Sequence, residues 1–282
     1  MQGKLPIIKN MIWAVAIVLA LAALLVGLIF AAASRYNGEQ QDGTLYLGSE
    51  ASTKQDAASQ DVQTVNAIGP LAGDGSLHTL SETSDGGQAY LDELTFLCDS
   101  AMIGLRDYGL LSGGTATGQV WGSSAGNIPA SSIAQCTIVY PGDGSQISAA
   151  SAAMIAKPRV LVIALGCDSL SETDQESFIA NYTALLNSIH EASPETTLVC
   201  CSPCFVTAGY SGADGLTRDI ALQAEQWIQQ VCMATGVYYA DLRSVLCDSS
   251  GTLFNDYASS NGKSLNSTGI SKVLEYLRGH TV

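Results

Sequence analysis

The chain has 282 residues, a length that suggests one or two domains. Its formal charge of −14 comes from 26 acids set against 12 bases. A surface of that sign repels phosphate backbones and anionic headgroups, which argues against any nucleic-acid role and leaves catalysis open.

Met11 to Ala33 is a run of 23 uncharged, mostly apolar residues. As a helix it would reach about 35 Å at roughly 1.5 Å per residue, enough for a hydrocarbon layer of about 30 Å. Lys4 and Lys9 precede it and only Arg35 follows closely, so residues 1–10 are expected on the cytoplasmic side, with 11–33 as a single-pass transmembrane anchor. A cleaved signal peptide is the rival, because Ala31-Ala32-Ala33 suits a signal peptidase, although its apolar core is normally shorter. On either reading the remainder is exported and extracytoplasmic. That remainder, residues 36–282, holds all 26 acids and nine of the 12 bases, a formal charge of −17.

Residues 34–88 are rich in Ser, Gly, Gln, Asp and Thr with little periodicity, which predicts a flexible tether. From residue 89 onward short apolar runs alternate with helical patterns. Leu94–Cys98, Gln119–Trp121, Val160–Leu165, Thr197–Cys201 and Val237–Ala240 read as strands covered on both faces. Between them, Phe178, Ile179, Tyr182, Leu185, Leu186 and Ile189 make one helical stripe, with Ser171 and Asp174 as its start signal. Ile220, Ala224, Trp227, Ile228 and Val231 make a second, closed by Gly236, and Ile270, Val273, Leu274 and Leu277 a third. Ser132–Ser148, with Pro141-Gly-Asp-Gly144, reads as an irregular or hairpin insertion. The pattern predicts an α/β fold, a three-layer α/β/α sandwich on a parallel five-stranded sheet. In such folds the site lies beyond the carboxyl ends of the strands.

Asp99-Ser100 stands at the end of the first strand, ahead of an expected helix with Gly104 on its first turn. An exposed serine there is placed for nucleophilic work, and equally placed to be a helix N-cap. Cys98-Asp99-Ser100, Gly122 in Val120-Trp-Gly-Ser-Ser124, Gly166-Cys167-Asp168 and Asn261-Gly-Lys-Ser264 fall at strand ends or just before the last helix. Taken together these segments resemble the conserved blocks of the SGNH (GDSL-type) hydrolases across about residues 90–280. The resemblance implies a flavodoxin-like α/β domain descended from an acyl-ester hydrolase, one acting on O-acetyl groups of cell-wall or extracellular polysaccharide. It assigns Ser100 to the nucleophile position, preceded by Asp99, and Gly122 and Asp168 to oxyanion-hole positions, where the family has asparagine in place of Asp168. It assigns Asn261 and Ser264 to the positions of the triad acid and base. Both of those chemistries have been replaced.

The physical consequence is large. A serine hydroxyl is a poor nucleophile without a base, and deleting a triad member in serine hydrolases costs roughly 10⁴–10⁶ in turnover. An ionised Asp168 would repel the charge that an ester transition state develops. His78, His190 and His280 are expected away from the strand tips, and neither Asp256 nor Lys263 sits in a motif. Two functions from different classes follow: a pseudoenzyme that keeps a cleft for glycan or a protein partner, or an active esterase with an unconventional base for Ser100. Cys201-Ser-Pro-Cys204 has the C-x-x-C form of redox sites, but a loop rather than a helix follows it, which favours structural cysteines or a local disulfide. No cofactor and no metal site is expected, since no His, Cys and carboxylate set has convincing ligand spacing.

Overall fold

Residues 69–282 are described by the computed structural model of the chain. The predicted membrane anchor and residues 34–68 lie outside them; among the described residues no helix is long and apolar enough to cross a membrane.

Five of the short apolar runs form one parallel sheet: β1 (Leu94–Cys98), β2 (Val120–Trp121), β5 (Val160–Ala164), β6 (Thr197–Cys201) and β7 (Tyr238–Ala240). Their order is β2-β1-β5-β6-β7. All four pairings are parallel, with Cys98 opposite Ala164 and Ile163 opposite Cys200. The central β5, Val-Leu-Val-Ile-Ala, is buried at every residue, as an alternation-free apolar run predicts for a strand covered on both faces. The insertion resolves into an antiparallel hairpin of β3 (Thr137–Val139) and β4 (Gln146–Ser148).

Helices α1 (Gly87–Leu91), α2 (Gly104–Asp107), α3 (Ala149–Ala156), α4 (Gln175–Ala192), α5 (Arg218–Thr235), α6 (Arg243–Leu246) and α7 (Ser267–Arg278) complete the domain. They fall into two groups. α3 packs on α4 and α4 on α5, while α1, α2 and α6 each pack on α7. That division is what a sheet with helices on both faces requires. The predicted stripe of α4 is buried at Phe178, Tyr182, Leu185, Leu186 and Ile189. α5 ends at Gly236, whose φ of +73° suits a residue without a side chain.

Three expectations need correction. The first concerns α4, which starts one signal later than expected. Asp174, not Ser171, is its N-cap, accepting from the Ser177 N–H at 2.8 Å, while the Ser171 hydroxyl donates to the Asp214 carbonyl at 2.7 Å. The second concerns Ser100, which caps no helix. Turns fill residues 101–103, and α2 is only four residues long, with Ile103 before it. The third concerns the expected tether, of which residues 69–88 are ordered against the domain. Thr79 bridges Tyr239 in parallel, the Leu80 N–H donates to the Tyr239 carbonyl at 2.8 Å, and Leu80 is buried. A polar segment can do this by borrowing the free hydrogen-bonding edge of β7, which demands few apolar side chains.

Candidate active site

The carboxyl ends of β1 and β5 deliver two carboxylates to one place. Asp99 follows β1 and is fully buried. Its Oδ2 accepts from the Gly166 and Cys167 N–H groups at 2.9 and 2.8 Å, and its Oδ1 from the Ala101 N–H at 3.1 Å. Asp168 lies on the loop after β5 and is also buried. That loop turns sharply at Gly166, whose φ is +114°; a Cβ there would lie 2.8 Å from the Phe178 ring, so the position requires glycine.

Ser100 sits between them. Its hydroxyl donates to Asp168 Oδ1, and its backbone N–H donates to Asp168 Oδ2 at 3.2 Å. The Ile128 N–H donates to the same Oδ2 at 2.9 Å. The Asp168 carboxylate thus collects three donors, two of them backbone amides, from two separate segments. Among the described residues Asp168 is the one hydrogen-bond partner of the Ser100 hydroxyl.

Burial, and then the negative charge of Asp168, push the Asp99 carboxyl up to about 7, against the three backbone donors that pull it down. Two buried carboxyl groups share the strand tips, and among the described residues neither has a salt-bridge partner. The tension is electrostatic, and it is confined to the strand tips.

The loop before α7 closes the site from another side. Ser264 Oγ donates to the Ser100 carbonyl at 3.3 Å, and the Leu265 N–H donates to the Ala101 carbonyl at 3.2 Å. Asn261 shapes this loop: its Oδ1 accepts from the Lys263 and Ser264 N–H groups at 3.0 and 2.9 Å, and its Nδ2 donates to Ser264 Oγ at 2.9 Å. Ser100, Asp168, Asn261 and Ser264 therefore lie together. Gly122 is next to them: a Cβ on it would sit 3.7 Å from the Cys98 carbonyl and 3.0 Å from Ile103 Cδ1.

The histidines lie elsewhere. His78 Nε2 is 3.4 Å from Asp74 in the segment along β7. His280 follows the last turn of α7, stacked on Tyr276 with centroids 3.9 Å apart. His190 is in the last turn of α4, which runs back from the strand tips. Lys263 belongs to the loop that closes the site, but its ammonium is bound at 2.9 Å to Asp214, which also accepts from Tyr210 at 2.5 Å. Partial burial pulls the Lys263 pKa down, yet the Asp214 hydrogen bond outweighs it and the net shift is upward, away from use as a base. The Asp256 backbone carbonyl accepts from Asn266 Nδ2 at 2.9 Å, and among the described residues no side-chain hydrogen bond links Asp256 to the site. Among the described residues no group of three His, Cys, Asp or Glu side chains is arranged to hold a metal ion.

Two participants escaped the sequence reading. The Ile128 N–H is a backbone group on a loop, with no side-chain signature at all. The Lys263–Asp214–Tyr210 linkage joins positions 49 residues apart, and only the fold brings them together. A cavity of about 460 Å³ opens beside that linkage, lined by Val206, Thr207, Tyr210, Leu216, Arg218 and Thr252 among others.

The GDSL-like lipase/acylhydrolase family model matches residues 114–262. The chain belongs to the SGNH (GDSL-type) hydrolase family. The matched span includes Gly122, Asp168 and Asn261 and lies between Ser100 and Ser264. Solved structures similar to it include one from Streptococcus pneumonia provisionally described as a platelet activating factor, at 15% identity, covering 66% of this chain and 82% of that one with a TM-score of 0.48. Another is a carbohydrate esterase of family 3 from Talaromyces cellulolyticus, at 17% identity, covering 65% and 92% with a TM-score of 0.41. No curated protein matches the chain.

Proposed function

We propose that this protein is a membrane-tethered, extracytoplasmic member of the family whose cleft binds a glycan or a protein partner and no longer hydrolyses esters. One observation carries the reading: the Asp168 carboxylate takes the Ser100 amide, the Ile128 amide and the Ser100 hydroxyl at once. Donors that would stabilise a developing oxyanion are already taken by a side-chain carboxyl. An acyl substrate entering here would meet negative charge where its transition state needs donors, and removal of a single such donor costs about 10²–10³ in turnover.

The ligand class follows from the same chemistry. A carboxylate, with the −17 charge of residues 36–282 around it, favours a neutral partner rich in hydroxyl or N–H donors over an anion. The cell-wall or extracellular polysaccharide that the family resemblance suggests as ancestral substrate meets that condition. Export and anchoring rest on the apolar run 11–33 and its flanking charges.

The Ser100–Asp168 hydrogen bond also supports a second reading, an active O-acetyl esterase. There Asp168 would accept the serine proton as the hydroxyl attacks the acyl carbon, and the neutral acid would then face the oxyanion as a donor. A carboxylate is a far weaker base than imidazole, which makes this the less favourable course. Hydrolysis of a simple acetyl ester by the full chain and by Ser100→Ala separates the two. Equal background rates are expected, whereas turnover that disappears in Ser100→Ala establishes the esterase. Protease added to intact cells should release the domain by cutting among residues 34–68; complete protection would reverse the proposed orientation.

A further inference from the structure

We infer that Cys167 and Cys204 form a disulfide joining the loop after β5 to the loop after β6. Their sulfur atoms lie 2.7 Å apart, 37 residues apart in sequence, and both side chains are buried. Two thiols aimed at each other this closely need to move only about 0.6 Å to reach a bond of about 2.05 Å. The fold, not the local motif, selects the pair. Within Cys201-Ser-Pro-Cys204 the first cysteine is committed to the sheet, its thiol directed at 3.4 Å to the Ile163 carbonyl of β5, so it cannot serve Cys204.

The bond would lie directly behind the candidate site. Cys167 donates its N–H to Asp99 and is followed by Asp168, while the Cys204 carbonyl accepts from the Arg243 guanidinium at 2.9 Å. It would therefore anchor the loop carrying one carboxylate, and a donor to the other, onto the buried loop after β6. In the reaction each thiol gives up one proton and one electron and the two sulfurs bond. The two electrons break the S–S bond of a disulfide-class oxidant, which leaves as two thiols carrying the two protons. Supply of such an oxidant in the cell rests on the proposed export; formation of the bond in solution does not. Because both sulfurs are buried, closure belongs to folding, and the finished bond resists exchange in the native protein.

The full chain refolded in a mixture of reduced and oxidised glutathione, alkylated in denaturant without reductant and digested, tests this by peptide mass. The expected result is one cross-linked pair containing Cys167 and Cys204 that separates on reduction. In Cys204→Ser, Cys167 should become alkylated. Alkylation of both residues in the unsubstituted chain, or a bond from either to another cysteine, overturns the inference. An absence of Ser100-dependent esterase activity has no bearing on this result, so the two proposals fail separately.

Discussion

Two buried carboxylate sites in this domain are built on opposite principles. Glu225 on α5 is enclosed beside β7, where its Oε1 accepts from the Tyr239 and Ser202 hydroxyls at 2.5 and 3.1 Å and its Oε2 pairs with Arg243. Arg243 is itself fully engaged, donating to the Gly251 and Cys204 carbonyls at 2.9 Å each, with its guanidinium 5.3 Å from the centre of the Phe205 ring. Among the described residues neither Asp99 nor Asp168 has a salt-bridge partner, and their donors are backbone amides and one hydroxyl. The first arrangement satisfies every partner and serves the fold. The second keeps like charges together at the strand tips, a cost that a purely structural site has no reason to carry. That difference distinguishes the candidate site from a structural cluster better than burial does, since all three carboxylates are buried.

The largest effect should come from breaking the satisfied cluster. Arg243→Met leaves the Glu225 carboxylate buried without its cation, and a loss of about 3–5 kcal/mol is expected in urea unfolding. Adding Glu225→Gln should recover much of it. A loss below about 1 kcal/mol for Arg243→Met would erase the contrast between the two sites.

Asp168→Asn should act in the opposite sense. The folded-state pKa of Asp99 is raised to about 7 from 3.8, so the folded chain binds the extra proton between those values. Its contribution to stability therefore falls as pH rises from about 4 through 7. Removing the Asp168 charge lowers the Asp99 pKa, flattens that fall and stabilises the domain at pH 8. Thermal unfolding across pH 5–8 measures it; an unchanged or steeper pH dependence would mean that the two carboxylates do not repel.

The smallest effect belongs to the Lys263–Asp214 pair, whose carboxylate is 40% exposed and therefore well screened. Partial burial raises the Asp214 pKa, but hydrogen bonds from Tyr210 and Lys263 bring it down to about 2 from 3.8. Its stabilisation is thus complete above about pH 4 and lost as pH falls through about 2. Lys263→Met should cost less than about 1 kcal/mol at neutral pH. A cost of several kcal/mol would assign this pair to the core of the fold.

What the residues alone disclosed divides along physical lines. The five strands were legible to within a residue or so, because apolar runs such as Val160–Ala164 carry their burial in composition. The α4 and α5 stripes and the Gly236 stop were legible for the same reason. Segment 69–88 was not, since it is held by the edge of β7 instead of by its own side chains. The proximity of Ser100, Asp168, Asn261 and Ser264 was foreseeable from strand ends and the loop before α7. That Asp168 would draw in the Ser100 and Ile128 amides was not, because backbone donors have no sequence code. α3 also went unread: Ala149–Ala156 is so uniformly small and apolar that it shows no stripe.

The most direct test of the account is to take the charge out of the donor pocket and put the base back. Ser264 Oγ is 3.3 Å from the Ser100 carbonyl and 2.9 Å from Asn261 Nδ2, so Ser264→His with Asn261→Asp places an imidazole and its orienting acid where the loop already holds side chains. Asp168→Asn supplies a neutral donor in the same position. The initial rate on an acetyl ester should rise at least about 100-fold in the triple variant, within the range that a base and an oxyanion donor contribute, and the gain should vanish when Ser100→Ala is added. Substantial turnover by the unsubstituted chain that Asp168→Asn alone abolishes would contradict the account, since Asp168 would then be the working base and not the charge that silences the site.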